Sequence, residues 1–359
     1  MARLRYGEKG IGMRYGAFLP TRPEYLEAVE ELEEAGFSAV WFPDFQLVGA
    51  DPFLTMAMVG KRLRRAEMGV AVCNPRTRHP MVVANMMATL NRFFPGRLAL
   101  GVGAGASPLR AIGLSPASAE EVREFVQSCR QLLEPPGRGG PTSRSRLRFL
   151  DISSTALNTK DRIPIRVAAG GPKSLRMAGA VADEVILGTI QPELVEAAIR
   201  HIRDGAREAG RDPDEVGIAV LAAIYAGDAF GEFDVVATHV GGYVPNMLIS
   251  NYRLAAEVRE RLQPALVAAF DGARAAMIAR SSTADTSDYE RYMESVPAAY
   301  RDVVTMESIR AKAFVDGYER FRADCEQLGA LGVGMVVLFA DPLDGRALVR
   351  VGREWLRAC

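Results

Sequence analysis

Hydrophobic positions along the chain alternate between two periods. Short apolar runs at 13–20, 37–44, 68–73, 98–102, 163–169, 184–188, 216–226 and 334–340 each break into proline, glycine, asparagine or aspartate, as strands that end in loops do. Between them lie longer stretches with helical spacing. Residues 22–35 set Leu26, Val29 and Leu32 on one face with Glu27, Glu30, Glu31 and Glu34 outside, and Gly36 supplies a stop. Residues 82–94 place Val83, Met86, Met87 and Leu90 inward. Ser118 with Glu121 forms a capping box that opens a helix carrying Val122, Phe125, Val126, Cys129 and Leu133. Further helices are predicted over 172–181, 193–209, 316–331 and 345–356. Eight strand and helix repeats predict a closed (β/α)8 TIM barrel, an α/β fold with ligand loops at the carboxyl ends of its strands. The rival, an open doubly wound sheet, would show fewer repeats and a genuine dinucleotide site.

The repeats define one barrel domain over 13–357, preceded by a polar, flexible extension over 1–12. Residues about 230–310, between the seventh and eighth predicted strands, are different. They are alanine-rich and helical in tendency, broken at Gly241-Gly242, Pro245, Pro264 and Pro297, with a polar hinge at 281–287. They read as a helical insertion. Within it, Tyr243, Met247, Tyr252 and Phe270 would suit a hydrophobic lid, although core packing explains them equally well.

Composition narrows the function classes. The 359 residues are 48% hydrophobic, and 44 Lys and Arg balance 44 Asp and Glu, which argues against nucleic acid or an anionic membrane as the main partner. No apolar run is long enough for a bilayer, so the cytoplasm is the expected location. Cys73, Cys129, Cys325 and Cys359, like His79, His201 and His239, are scattered, so no metal site is signalled. The arginine-rich stretch 134–148, with Arg138, Arg144, Arg146 and Arg148, reads as a solvated loop, of a kind that can close over ligands.

Two glycine-bearing loops carry the candidate chemistry. Residues 101–106 formally match the dinucleotide pattern G-x-G-x-x-G/A. However, the next acidic residues, Glu120, Glu121 and Glu124, fall in a helix, and no strand follows until after residue 145. Those glycines are better read as clearance beside a flat ligand. The second loop is Gly170-Gly171-Pro172-Lys173-Ser174. Pro172 suits a first helical position, Gly171 leaves the helix-start amides open and Lys173 adds positive charge, so a phosphate is its natural occupant. A plain strand-to-helix turn stays open as the alternative. In a barrel, Asp44, Asn74, Gly103 to Gly105 and Gly170-Gly171 all lie past strand ends and share one mouth.

Asn74-Pro75 with Thr77-Arg78-His79-Pro80, Leu100 to Gly105, and Ala168 to Lys173 with Ala178-Gly179 and Ala182-Asp183 resemble the bacterial luciferase-like superfamily. Within it they resemble the enzymes that use the deazaflavin coenzyme F420, such as methylenetetrahydromethanopterin reductase. The resemblance implies F420, with FMN as the alternative, seated against a non-proline cis peptide at Ala71-Val72. Its phosphate would lie at Gly170, Gly171 and Lys173. The coenzyme-contacting set so implied is Asp44, Ala71, Val72, Asn74, Gly103, Gly105, Ser107, Ala169, Gly170, Gly171, Pro172, Lys173, Gly188 and Thr189. It also implies a homodimer acting on a small-molecule substrate. Two departures stand out: Pro43-Asp44-Phe45-Gln46 lacks the histidine that follows the aspartate in several relatives, and Ala106 stands where related dehydrogenases carry an acid. Asp44 is left as the candidate general acid. The expected activity is F420-dependent hydride transfer; the alternatives are an FMN-dependent monooxygenase and a non-catalytic deazaflavin- or flavin-binding protein.

Overall fold

Each apolar run forms a strand because its neighbours supply both hydrogen-bonding edges and both faces of burial. The computed structural model describes residues 12–46, 48–134, 156–230, 232–280, 298–340 and 346–356. The extension before Gly12, the arginine-rich loop beyond Glu134 and the polar hinge at 281–287 lie outside the described residues. Among the described residues there are nine parallel strands: β1 (Arg14–Phe18), β2 (Ala39–Phe42), β3 (Glu67–Cys73), β4 (Leu98–Val102), β5 (Ile165–Ala168), β6 (Glu184–Leu187), β7 (Gly217–Ile224), β8 (Ala313–Phe314) and β9 (Met335–Phe339). Neighbours run β6-β5-β4-β3-β2-β1-β9-β7, and β6 pairs with β7 to close the ring. Eight strands therefore make the predicted (β/α)8 barrel. The ninth, β8, was not expected; it pairs only with the carboxyl end of β7, at Ala223 and Ile224.

The helices follow the predicted order, with differences that have local causes. One helix was expected over 22–35, but the chain forms α1 (Pro23–Leu26) and α2 (Val29–Glu34). At the break the Arg62 guanidinium donates to the carbonyls of Leu26 and Glu27 at 2.9 and 3.0 Å. Helix α3 (Pro52–Val59) was not anticipated; the Asp51 carboxylate caps it, accepting from the amides of Phe53 and Leu54. Helix α4 (Pro80–Phe93) begins two residues early because His79 Nδ1 accepts from the Met81 amide. A short α5 (Ala106–Ala111) precedes α6 (Ala119–Leu133), which carries the predicted capping box, and α7 (Pro172–Val181) and α8 (Pro192–Glu208) follow. The insertion is helical as read, with α9 (Phe233–Val240), α10 (Val244–Glu257), α11 (Pro264–Arg280) and α12 (Met306–Arg310). Helices α13 (Tyr318–Leu331) and α14 (Ala347–Glu354) complete the outer layer. Among the described residues no helix is long and apolar enough to cross a membrane.

The amino-terminal end of the barrel is closed by charge rather than hydrocarbon. Arg166, 1% exposed, donates to Glu67 Oε2 at 2.9 Å and to Glu184, and its guanidinium lies 4.7 Å over the Trp41 ring. Trp41 Nε1 donates to Glu67, and Arg14 to Glu184, both at 3.2 Å. Two arginines thus neutralise two glutamates where water cannot. Burial pushes the Glu67 carboxyl up, but the adjoining Arg166 outweighs it and holds Glu67 below the usual carboxylate range. With this end plugged, the carboxyl-end mouth is left for ligands.

Candidate active site at the barrel mouth

The peptide between Ala71 and Val72 is cis, and the β3–β4 register shifts between Val70 and Cys73. That bulge sets the role of the β4 glycines. A β-carbon on Gly101 would stand 2.2 Å from the Val70 carbonyl oxygen, and one on Gly103 2.6 Å from Val72 Cγ2. Gly105, at φ +67°, starts α5 with Asn74 packed against it. The clearance that the sequence suggested is filled by the bulged strand itself. Asn74 is fully buried; its Oδ1 accepts from the amides of Arg76 and Thr77 at 3.1 Å, whereas its Nδ2 has no partner.

Asp44, 3% exposed, has both oxygens engaged. Arg78 donates to them at 2.6 and 2.7 Å and Gln46 adds a bond at 2.7 Å. Arg78 also donates to Asp51 at 2.7 Å and stacks over Phe53. Burial pushes the Asp44 carboxyl up despite Arg78, and the side chain does not line the cavity described next.

That cavity, about 500 Å³, lies within the range of small-molecule sites. Phe18 and Tyr25 from the β1 side, Pro43 and Phe45 from the loop after β2, and Met247 and Ile249 from α10 give it an apolar wall. Tyr243 meets Phe339 edge-on with ring centroids 4.2 Å apart. Asn246 Nδ2 donates to Ser107 Oγ at 2.8 Å, tying α10 to the lip after β4. Of the four aromatic and methionine residues proposed for a lid, Tyr243 and Met247 line the cavity; Phe270 is buried within the insertion and Tyr252 carries Arg274 over its ring. Arg22, Arg110 and Lys312 contribute positive charge, and among the described residues no carboxylate lines the cavity.

Lys312 was not anticipated. It is 7% exposed, donates from Nζ to the Leu221 carbonyl at 2.7 Å and sits 5.6 Å from the Phe339 ring centroid. Its backbone is fixed by Thr189 Oγ1 and the Ile190 amide, which donate to the Ala311 carbonyl at 2.8 and 3.0 Å. Burial lowers its pKa to about 7. A usable signal existed in the sequence: only five of the 44 basic residues are lysines, and this one stands between Ala311 and Ala313 before Phe314.

At the start of α7, Gly171 is the N-cap at φ −105° and Pro172 follows at the first helical position. Ser174 Oγ accepts from the Gly171 amide at 3.2 Å. A β-carbon on Gly171 would have no neighbour closer than 3.9 Å, and Lys173 is exposed beside it. The Ser250 carbonyl of α10 faces Gly170, and Ser250 also lines the cavity. The helix start and the cavity therefore flank α10. Of the residues singled out from the sequence, Ser107 and Gly188 line the cavity; Asp44, Ala71, Val72, Asn74, Gly103, Gly105, Thr189 and Ala169 to Lys173 do not.

Such a barrel, with a bulged third strand, a roofed apolar mouth and an open helix start beside it, is the frame of an enzyme that holds an organic ligand at its strand ends. The chain belongs to the luciferase-like monooxygenase family, whose family model matches residues 8–312. The 5,10-methylenetetrahydromethanopterin reductase of Methanolobus tindarius is 28% identical over 243 residues, 66% of this chain and 73% of that protein. The F420-dependent glucose-6-phosphate dehydrogenase of Nakamurella multipartita is 29% identical over 228 residues, 59% of this chain and 65% of its own length. The structure of the coenzyme F420-dependent tetrahydromethanopterin reductase from Methanopyrus kandleri shares the fold, with a TM-score of 0.69 and 22% identity over 97% of this chain and 99% of that one.

Proposed function

We propose that this protein is an F420-dependent oxidoreductase that moves hydride between the deazaflavin coenzyme and a small organic substrate held in the mouth cavity. The observation that carries the reading is the start of α7, where open amides, a side-chain-free Gly171 and Lys173 make an anion site beside α10. The F420 dependence of the relatives favours that coenzyme. Gly170, Gly171 and Lys173 would hold its phosphate, and the unpartnered Asn74 Nδ2 beside the β3 bulge is a donor suited to a ring oxygen or nitrogen. When bound, the coenzyme supplies the hydride chemistry; the protein orients the substrate and excludes water. The apolar wall and the Tyr243–Phe339 contact serve the exclusion.

The same reading includes a cytoplasmic homodimer. Leu54 and Met58 on α3 and Phe93 on α4 are 68%, 70% and 67% exposed, an apolar face suited to a second copy. Sedimentation analysis of the Met58→Glu variant tests this: dissociation is expected, and an unchanged mass would place the contact elsewhere.

The family description favours one second reading, an FMN-dependent monooxygenase on the same barrel. Separate fluorescence titrations with F420 and FMN separate the two. Tight F420 binding with weak FMN binding is expected; the reverse would overturn the assignment.

A further inference from the structure

Lysine is rare in this chain, five of 44 basic residues, and Lys312 is a buried one. Arginine does not lose its proton in proteins, whereas a buried lysine readily does. Lys312 is buried at the carboxyl ends of β6, β7 and β9, with Gly188, Leu221 and Phe339 around it and the cavity in front. One of its protons is used on the Leu221 carbonyl, so further donors are available to a ligand. Among the described residues, the other charged groups lining the cavity are Arg22 and Arg110, and the phenols of Tyr25 and Tyr243 also face it; none of these is an ion-pair partner for the ammonium. Neither Asp44, tied up by Arg78, nor Ala106 offers a proton there.

We propose that Lys312 is the residue that exchanges a proton with the substrate oxygen, and that the substrate is an apolar aldehyde or ketone, or the corresponding alcohol. The inference rests on the oxidoreductase reading above. In the reducing direction the bound coenzyme would supply the hydride for the new C–H bond at the carbonyl carbon, the C=O π pair would move onto oxygen, and that oxygen would take a proton from Lys312 Nζ. The substrate is reduced, the coenzyme is oxidised, and the neutral amine regains its proton from water. The reverse reaction needs the neutral amine to accept the hydroxyl proton. Near-neutral titration, caused by burial, lets the same group serve both directions.

The first test needs neither coenzyme nor turnover. The protein is incubated with hexanal and cyanoborohydride across a pH series, and alkylated lysines are mapped by mass spectrometry. At pH 7 an ordinary lysine is about four parts in ten thousand neutral, so Lys312 is expected to alkylate ahead of the exposed Lys61 and Lys173, with a midpoint near neutrality. Modification of the exposed lysines with Lys312 untouched would overturn the proposal. The second test compares the wild type and Lys312→Met, both loaded with reduced F420, on a panel of aliphatic aldehydes and ketones. Wild-type reduction should decline above neutral pH. The variant should bind F420 within twofold of wild type while reduction falls by about 100-fold or more. Unchanged turnover with an unchanged pH profile, or no carbonyl reduced by the wild type, would overturn it. Failure of the wild type to bind F420 would instead overturn the coenzyme reading, and the alkylation result is independent of that outcome.

Discussion

A β-carbon added to Gly103 would stand 2.6 Å from Cγ2 of Val72, so the residue that follows the fourth strand is glycine because the bulged third strand occupies the space beside it. Gly103→Ala should therefore destabilise the barrel by about 1–3 kcal/mol through overpacking. Urea unfolding measures this directly. A loss too small to resolve would mean that Val72 moves freely and that the glycine serves a ligand.

Removing Arg166 tests the opposite end of the barrel. Arg166→Met strands Glu67 and Glu184 without their shared partner, and one-sided removal from a buried pair costs about 3–5 kcal/mol. The pH dependence has a definite sign. Arg166 holds Glu67 below its ordinary value in the folded state, so its stabilisation is complete above the ordinary carboxylate range and lost as pH falls. The deficit of the variant should be full at neutral pH and shrink toward about pH 4, as Glu67 takes up a proton. Equal deficits at both pH values would show that Glu67 is not the group involved.

Most of the barrel was legible because hydrophobic period alternates between strand and helix along the whole chain. The elements that escaped were short and held by specific contacts. Helix α3 depends on the Asp51 cap, α5 on the Gly105 turn, and the two residues of β8 have no period to read. The start of α7 was legible because proline favours the first helical position, where Pro172 stands. The glycines after β4 were read for clearance, since a sequence shows that a side chain is missing but not which neighbour fills the gap. Lys312 escaped because its rarity and apolar neighbours mark it only weakly, whereas its burial comes from Leu221 on β7 and Phe339 on β9, both distant in sequence.

Asp44 distinguishes support of the loops from contact with the coenzyme. Its two oxygens bind Arg78, which Asp51 also holds. Asp44→Asn should cost about 1–2 kcal/mol in stability, since one bond to Arg78 is lost and Asp51 remains. F420 affinity should stay within twofold. A loss of affinity well beyond that, with stability intact, would make Asp44 a coenzyme contact.

Gly171→Leu examines the helix start. The backbone at φ −105° accepts any residue and the β-carbon has room, so stability should change by no more than about 0.5 kcal/mol. The leucine side chain would cover the amides, and F420 affinity should fall at least about tenfold, equivalent to about 1.4 kcal/mol. Unchanged affinity would move the phosphate to another loop.

Hydride transfer in the absence of oxygen is the most direct test of the central claim. The protein loaded with reduced F420 is mixed anaerobically with the carbonyl panel, and recovery of oxidised-coenzyme fluorescence is followed. Fluorescence should recover without oxygen, in proportion to the alcohol formed. Recovery only when oxygen is admitted and consumed would contradict it and make the protein a monooxygenase.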